Sequence, residues 1–252
     1  MIDAALIAEL EKIAEPGPLM AELEKRFPKR IAIGTSGQLT GCALIDLAVQ
    51  SKLKPRVFTI DTLRLFRETY ELFEALENRY RIRIERYTPS EKDLDPMIKQ
   101  YGEYLFFDSK ERQELCCNIR KVLPNERALD TVDVWITGLR ADQSRARAET
   151  SRFQIIQHSA PGGLRPILKV APLVNWTEQH VRDYLKTNKV PIHELLDQKL
   201  AGGYYYESLG CIICTTPIGP NEPRRAGRWR WFNDVESNKE CGIHLPSLDK
   251  PT

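Results

Sequence analysis

The sequence predicts an α/β protein with a mostly parallel β-sheet flanked by helices. Short runs of apolar and β-branched residues recur along the chain, and helical patterns follow them. Such alternation is typical of parallel strands joined by helices that cover both faces of the sheet. The chain has 252 residues, of which 42% are hydrophobic, and this supplies a core for one α/β domain or two small ones.

Five strands and four helical patterns can be assigned in chain order. The N-terminus shows one amphipathic helix pattern, and the last helix has Thr177 as a plausible N-cap with Glu178 in its first turn. The predicted strands cover 31–35, 56–60, 81–87, 133–137 and 164–168, and the later helices cover 41–50, 65–79 and 175–188.

We expect these elements to form a single domain. N-terminal helices would occupy about 1–28 and the sheet with its helices 29–200. The composition then shifts to Gly, Pro, Cys and Trp, with few long periodic runs. We therefore expect 201–252 to be a segment ordered by a ligand, followed by a mobile tail.

Charge and hydropathy exclude several classes of protein. The net charge is only +2, which argues against a dedicated nucleic-acid binder. The N-terminal pattern contains acidic residues and lacks the basic start and apolar run of a signal peptide. No stretch approaches the roughly 18 apolar residues of a membrane span. We expect a soluble, cytoplasmic protein without nucleic-acid or membrane partners.

Four of the six cysteines form two pairs, Cys116-Cys117 and Cys211-Ile212-Ile213-Cys214. Four thiolates can close a zinc site or an iron–sulfur site. Adjacent cysteines favour a cluster, because a cubane offers separate iron corners to two neighbours whereas one zinc ion must accept both. The alternative is two unrelated pairs of buried thiols, since unpaired cysteines are often simply buried. Cys42 reads as a small buried residue.

Cys241 stands near the C-terminus in the sequence Lys239-Glu240-Cys241-Gly242-Ile243-His244. A catalytic thiol must be partly ionised and accessible. The basic neighbours favour the thiolate, although the adjacent glutamate opposes it. The alternative is a tail cysteine without a role.

Three further segments could bind anions. Arg140 and Arg147 follow the fourth strand, where a parallel sheet presents its ligand-binding loops, but they could also belong to a solvated basic helix. Arg225 and Arg228 stand in the Arg/Trp run 224–231, which could clamp an anion, stack on nucleic-acid bases or simply pack on the surface. The Ser36-Gly37 amides, at a helix N-terminus, could cradle a phosphate.

Together these residues resemble the bacterial-type, iron–sulfur-containing adenosine 5′-phosphosulfate (APS) reductase branch of the phosphoadenylylsulfate reductase family. The resemblance extends from about residue 31 to 245. The matching motifs are Cys116-Cys117 with Arg120-Lys121, the segment from Leu209 to Thr215, Arg225-Ala226-Gly227-Arg228-Trp229, Glu240-Cys241-Gly242-Ile243-His244, Asp61-Thr62, Glu68-Thr69-Tyr70, Pro172-Leu173, Trp176-Thr177 and Tyr184-Leu185.

The resemblance implies a Rossmann-like adenine nucleotide alpha hydrolase fold with a C-terminal cluster-binding segment. It implies one 4Fe-4S cluster per chain, a Cys241 nucleophile, thioredoxin or a similar dithiol protein as reductant, and sulfite and AMP as products of assimilatory sulfate reduction. Its implied cluster ligands are Cys116, Cys117, Cys211 and Cys214, and its implied substrate ligands are Ser36, Gly37, Lys121, Arg140, Arg147, Arg225 and Arg228.

The sequence also departs from the family pattern on the nucleotide side. Gln38-Leu39-Thr40-Gly41 replaces a small residue followed by Glu-Asp, Leu63 stands where Gly is usual, and 199–207 is longer than the family's connection. A reductase that accepts the 3′-phosphorylated substrate PAPS therefore stays open. More distant alternatives are an ATP pyrophosphatase-type sulfur transferase and a zinc-stapled nucleic-acid-binding module. The sequence also leaves open whether the chain forms a homo-oligomer.

Overall fold

The computed structural model describes residues 2–144, 147–160, 162–232 and 243. It contains a six-stranded, mostly parallel sheet with the strand order β3-β2-β1-β4-β6-β5, which confirms the predicted fold class. The strands are β1 (Ile31–Gly34), β2 (Val57–Ile60), β3 (Ile84–Tyr87), β4 (Val134–Thr137), β5 (Phe153–Ala160) and β6 (Gly163–Val170).

The central strands are apolar because both of their faces are covered. Ile31, Ile33, Val134 and Ile136 are all buried, and β1 pairs in parallel with both β2 and β4. Near-continuous apolar runs are expected for parallel strands that are buried on both sides. This is why the sequence located these strands correctly.

Strand β5 was absent from the sequence prediction. It pairs with β6 in antiparallel register along its whole length, from Phe153 opposite Val170 to Ala160 opposite Gly163. β5 lies at the edge of the sheet and exposes several polar side chains, so it lacks the apolar run that marked the other strands. Its partner β6 is also longer than the predicted 164–168.

The single helix pattern at the N-terminus forms two helices. Asp3 caps the first helix by accepting a hydrogen bond from the Leu6 amide, at 2.9 Å, and Pro16 begins the second. Proline suits a first helical position because its missing N–H has no partner there. The helices are α1 (Ala4–Leu10), α2 (Pro16–Arg26), α3 (Leu39–Gln50), α4 (Arg67–Tyr80), α5 (Glu91–Tyr101), α6 (Lys110–Cys117), α7 (Leu123–Leu129) and α8 (Glu178–Thr187), with a π-helix at Asn118–Val122.

A buried carboxylate ties three of these helices together. Asp46 in α3 accepts hydrogen bonds from Tyr80 Oη at 2.7 Å and from Tyr184 Oη at 2.6 Å. Asp46 is fully buried, and a buried charge needs such partners. The cluster therefore fixes α3, which begins directly after the Ser36-Gly37 turn. The α8 cap is as predicted, since Thr177 Oγ1 accepts from the His180 amide.

The chain divides into two compact units. The first unit comprises 1–59, 68–85 and 129–193, and the second comprises 60–67, 86–128 and 194–252. The second unit therefore combines two segments from the middle of the chain with the Cys- and Trp-rich C-terminal segment.

Within the described part of the chain, every helix is too short or too polar to span a lipid bilayer.

His193 gives the first unit a pH-dependent stability. It is buried, its Nε2 lies 2.9 Å from Thr69 Oγ1, and burial lowers its pKa to about 4. An unfolded histidine titrates near 6.5, so below that pH the unfolded chain binds a proton that buried His193 does not bind until about pH 4. The free energy of unfolding therefore has its full value above pH 6.5 and decreases as the pH falls towards 4. We expect the loss to reach roughly 2 kcal/mol at pH 5.

Urea unfolding at pH 7.5 and pH 5 measures this effect. His193→Gln should lose this part of the pH dependence, whereas His180→Gln, at an exposed position, should keep it. An equal pH dependence in the His193 variant and the unmodified chain would contradict the assignment.

Candidate functional site

The four paired cysteines line one cavity of the second unit. Cys116, Cys117, Cys211 and Cys214 are only 5–8% exposed. The structure thus brings together two pairs that lie about a hundred residues apart in sequence. Among the described residues, no three His, Cys, Asp or Glu side chains form a compact group around one point. The other residues of the cavity wall are Arg64, Phe106, Gln113, Arg120, Lys121 and Ile213.

Helix α6 delivers the first pair at its C-terminal end. Ser109 caps the helix by accepting from the Arg112 amide, and the π-helix Asn118–Val122 begins immediately after Cys117. Single π-turns inside helices occur frequently at functional sites. Neighbouring residues of an α-helix point about 100° apart, yet both thiols reach the same cavity.

A short 3₁₀ turn, Ile212–Cys214, carries the second pair. The Cys214 amide donates to the Cys211 carbonyl at 2.9 Å, which curls the backbone between the two cysteines. The Ile212 amide donates to the Arg64 carbonyl at 2.8 Å. The loop is thereby attached to the segment that follows β2.

The cavity is electrostatically arranged for negative sulfur. Burial by itself raises the pKa of Cys211, but the charge of Lys121, the Thr62 hydroxyl and the charges of Arg228 and Arg120 outweigh it, and the pKa falls below its ordinary value. Burial and the nearby Cys211 raise the pKa of Cys214 to about 12. One thiolate is therefore favoured, and further ones need additional positive charge.

Neutral hydrogen-bonding groups also contact the sulfurs. Gln113 Nε2 lies 3.1 Å from Cys117 Sγ, and Thr62 Oγ1 lies 3.3 Å from Cys211 Sγ. Arg120 Nη1 donates to the Thr62 carbonyl at 2.9 Å. Thr62 is therefore held through its carbonyl by Arg120 and through its hydroxyl by Cys211.

The Arg/Trp segment packs against the second cysteine loop. The Trp229 amide donates to the Cys214 carbonyl at 3.2 Å, and Lys121 Nζ lies 5.9 Å from the centre of the Trp229 ring. Arg228 is 7% exposed, and its Nε has no hydrogen-bond acceptor among the residues that the structure describes. Its guanidinium lies where a side chain at Gly210 would otherwise stand. Lys121, Arg225 and Arg228 thus belong to the second unit.

The other predicted anion ligands belong to the first unit. Ser36 is exposed at the end of β1, and Gly37 adopts a φ of +71°, a left-handed conformation that favours glycine. The Gly37 amide already donates to Thr35 Oγ1 at 3.2 Å. Gln38, the N-cap residue of helix α3, makes no side-chain capping hydrogen bond.

Arg140 and Arg147 differ in their surroundings. Arg140 is 3% exposed and donates from Nε to Asp142 at 2.9 Å and from Nη1 to Thr40 at 2.5 Å. Its guanidinium is thus engaged within the first unit, and a role in substrate binding stays a prediction. Arg147 is half-buried and donates to Gln143 Oε1.

Cys241, the predicted nucleophile, lies outside the described residues. Sequence reasoning gave no role to Gln113, Phe106 or Arg64, because isolated residues carry no spacing signal. Asp61-Thr62 stands out in the sequence only as part of a family motif, which gives no sign that Thr62 contacts a cysteine.

The chain is similar to known reductases in a family-domain match and in two curated relatives. Residues 30–217 match the model of the phosphoadenosine phosphosulfate reductase domain. An adenosine 5′-phosphosulfate reductase of Sinorhizobium fredii is 37% identical over 227 residues, which cover 90% of this chain and 83% of the relative. One of Allochromatium vinosum is 38% identical over 214 residues, which cover 85% and 78%.

A crystal structure is also similar. The phosphoadenylyl-sulfate (PAPS) reductase of Candida auris, solved as a phosphate complex, is 27% identical with a TM-score of 0.65. The match covers 86% of this chain and 98% of that chain.

Gly227 provides a test of how the Arg/Trp segment is seated. A Cβ atom there would lie 2.2 Å from the Thr216 carbonyl oxygen, while the Thr216 amide donates to the Gly227 carbonyl at 2.9 Å. Gly227→Ala must therefore push the two backbones apart, and we expect a loss of about 1–3 kcal/mol in the free energy of unfolding.

Gly219→Ala is the matched control, because its Cβ would make ordinary contacts at 3.6 Å. Urea unfolding of both variants measures the difference. Equal stabilities would show that the segment is not held as described.

Proposed function

The chain belongs to the phosphoadenosine phosphosulfate reductase family, and from this we propose that it is a thioredoxin-dependent adenosine 5′-phosphosulfate reductase of assimilatory sulfate reduction. It would convert APS and a reduced dithiol into sulfite, AMP and the oxidised dithiol. The observation that carries the proposal is the single buried cavity lined by all four paired cysteines.

We propose a 4Fe-4S cluster as the cofactor of this cavity. The donor set fits, since four cysteine thiolates are the usual ligands of such a cluster. The cavity also suits anionic sulfur, because the charge of Lys121 opposes burial and the pKa of Cys211 is lowered, whereas burial raises the pKa of Cys214, whose thiolate would need more positive charge nearby. When bound, the cluster would supply that charge and hold α6 and the Cys211 loop together.

Cationic residues would bind the anionic part of the substrate. Positive groups placed where charge develops on the departing phosphate oxygen stabilise the transition state. Arg228 supports this role, since its guanidinium is buried beside Trp229 and its Nε lacks an acceptor in the described part of the chain. The cationic residues that the sequence assigns to this role are Lys121, Arg140, Arg147, Arg225 and Arg228, and the amides of Ser36 and Gly37 would contact the phosphate.

Cys241 would be the nucleophile. Its thiolate would attack the sulfur of the sulfo group, forming an S–S bond as the bond between sulfur and the bridging oxygen breaks. AMP leaves with the electron pair, and Cys241 carries an S-sulfonate. The low thiol pKa that such an attack needs is favoured by nearby basic groups.

A dithiol protein of the thioredoxin type would complete the cycle. Its thiolate attacks the Cys241 sulfur, sulfite leaves, and its second thiol then releases Cys241 while a disulfide forms in the partner. The two electrons that reduce the sulfo group thus come from the dithiol.

Mass spectrometry tests the nucleophile. After mixing with APS in the absence of reductant, the chain should gain one SO₃ group on Cys241. Cys241→Ser should gain none and release no sulfite when thioredoxin is added, yet keep its iron. Cys42→Ser should behave as the unmodified chain, because Cys42 is fully buried and burial raises its pKa to about 12. An SO₃ group on another residue of active enzyme would overturn the assignment.

Iron and acid-labile sulfide analysis of anaerobically purified protein tests the cofactor. We expect about four of each per chain, as the composition of a 4Fe-4S cluster requires. Serine at Cys116, Cys117, Cys211 or Cys214 should lower the iron content, whereas Cys42→Ser should not. Stoichiometric zinc in place of iron would contradict the proposal. Assaying APS beside PAPS then decides which nucleotide is preferred.

A further inference from the structure

Gln113 is a buried amide that contacts one of the paired cysteines. It lies in α6, is 8% exposed, and its Nε2 is 3.1 Å from Cys117 Sγ. The two residues are four positions apart, so their side chains share one face of the helix. The helix itself thus holds the amide against the sulfur.

The buried side chains that pack around the cysteines are largely apolar. They include Met97, Leu105, Phe106 and Trp229. Glutamine is mostly an exposed residue, and an amide buried in such an environment costs free energy unless it is hydrogen-bonded. If packing alone decided this position, a methionine of similar length would fill it at lower cost. The hydrogen bond therefore explains the glutamine better than packing does.

The amide stabilises the Cys117 sulfur mainly when that sulfur is negatively charged. A neutral thiol is a weak acceptor, whereas a hydrogen bond to an ionised acceptor is roughly twice as strong as one between neutral groups. Cysteine binds metals as the thiolate. The contact therefore favours the form of Cys117 that serves as a metal ligand.

The contact lies at the point where the helix changes its geometry. Cys117 is the last residue of α6, and the π-helix Asn118–Val122 follows it. The backbone N–H of Gln113 donates to the Ser109 carbonyl at 3.0 Å, and Ser109 caps the helix. The backbone of Gln113 is thus fixed in the regular part of α6, while its side chain reaches the last thiol before the π-helix.

We propose that Gln113 is a positioning residue for the iron–sulfur cluster, and that its amide donates a hydrogen bond to the Cys117 thiolate. The inference rests on the proposed function for the identity of the cofactor, but the contact is a property of this chain. The hydrogen bond holds the anionic ligand in place, which slows the loss of iron. It also draws electron density from the sulfur, which changes the vibrations of the Fe–S bond.

Iron release to a chelator tests this role, measured on anaerobically purified, iron-loaded protein. Gln113→Met removes the donor but keeps an unbranched side chain of similar length and helix propensity. It should release iron roughly tenfold faster, because a hydrogen bond to a charged group is lost. Gln113→Asn keeps the amide but is one methylene shorter. It should therefore fall short of the sulfur and release iron as fast as the methionine variant.

Glu114→Met is the matched control, since it places the same residue at the neighbouring, exposed position of α6. Its rate of iron release should equal that of the unmodified chain. Resonance Raman spectra add a readout that a purely packing role would not change. The Fe–S(Cys) bands should move to higher frequency in both Gln113 variants, because the sulfur regains electron density, and stay in place in the control.

Three results would overturn the role of Gln113: an unmodified rate of iron release in Gln113→Met, an unmodified rate in Gln113→Asn, or faster release with unchanged Fe–S bands. If the methionine variant yields no folded protein, the asparagine variant decides by the same criteria. Iron analysis of the unmodified chain separates this failure from that of the proposed function. Zinc in place of iron would disprove the cofactor, whereas a full iron content without any effect of Gln113 would disprove this inference alone.

Discussion

Four sulfur atoms buried around one cavity impose the main constraint on the second unit. Burial, and after it the charge of the neighbouring Cys211, raise the pKa of Cys214. Positive charge must therefore be brought to the same place, and it comes from distant parts of the chain. Arg64 follows β2, Arg120 and Lys121 come from the π-helix, and Arg228 comes from the Arg/Trp segment. The fold of this unit can be understood as a way of assembling these charges around sulfur.

The buried cations divide into two groups with different physical roles. Arg140 is engaged by a carboxylate and a hydroxyl, so its charge is satisfied by the protein itself. Lys169 lacks an acidic partner among the described residues, and the buried Nε of Arg228 lacks an acceptor there. Buried cations without an acidic partner are costly to bury. Binding sites commonly accept this cost, because preorganised charge is useful only when it is not already neutralised.

The sequence located the central strands, the helices α3, α4 and α8 and the cap at Thr177, because those features depend on local pattern, but it assigned no helices at the positions of α5, α6 and α7. It missed β5, whose one exposed face removes the apolar run, and it merged α1 with α2 across Pro16. For the candidate site, it selected the four cysteines and seven anion-binding residues from motifs. It could not select Gln113, Phe106 or Arg64, because a single residue has no spacing and its burial becomes evident only in three dimensions.

The sequence by itself therefore determined the fold class and the family to which the chain belongs, and it selected the cysteines of the candidate site. These follow from periodicity and from residue types at fixed spacing, which are properties of short segments. Only the tertiary structure decided that both cysteine pairs line one cavity, that Arg140 is neutralised and that Thr62 contacts Cys211. Such facts depend on which distant segments meet, and long-range packing and desolvation determine them rather than any local pattern.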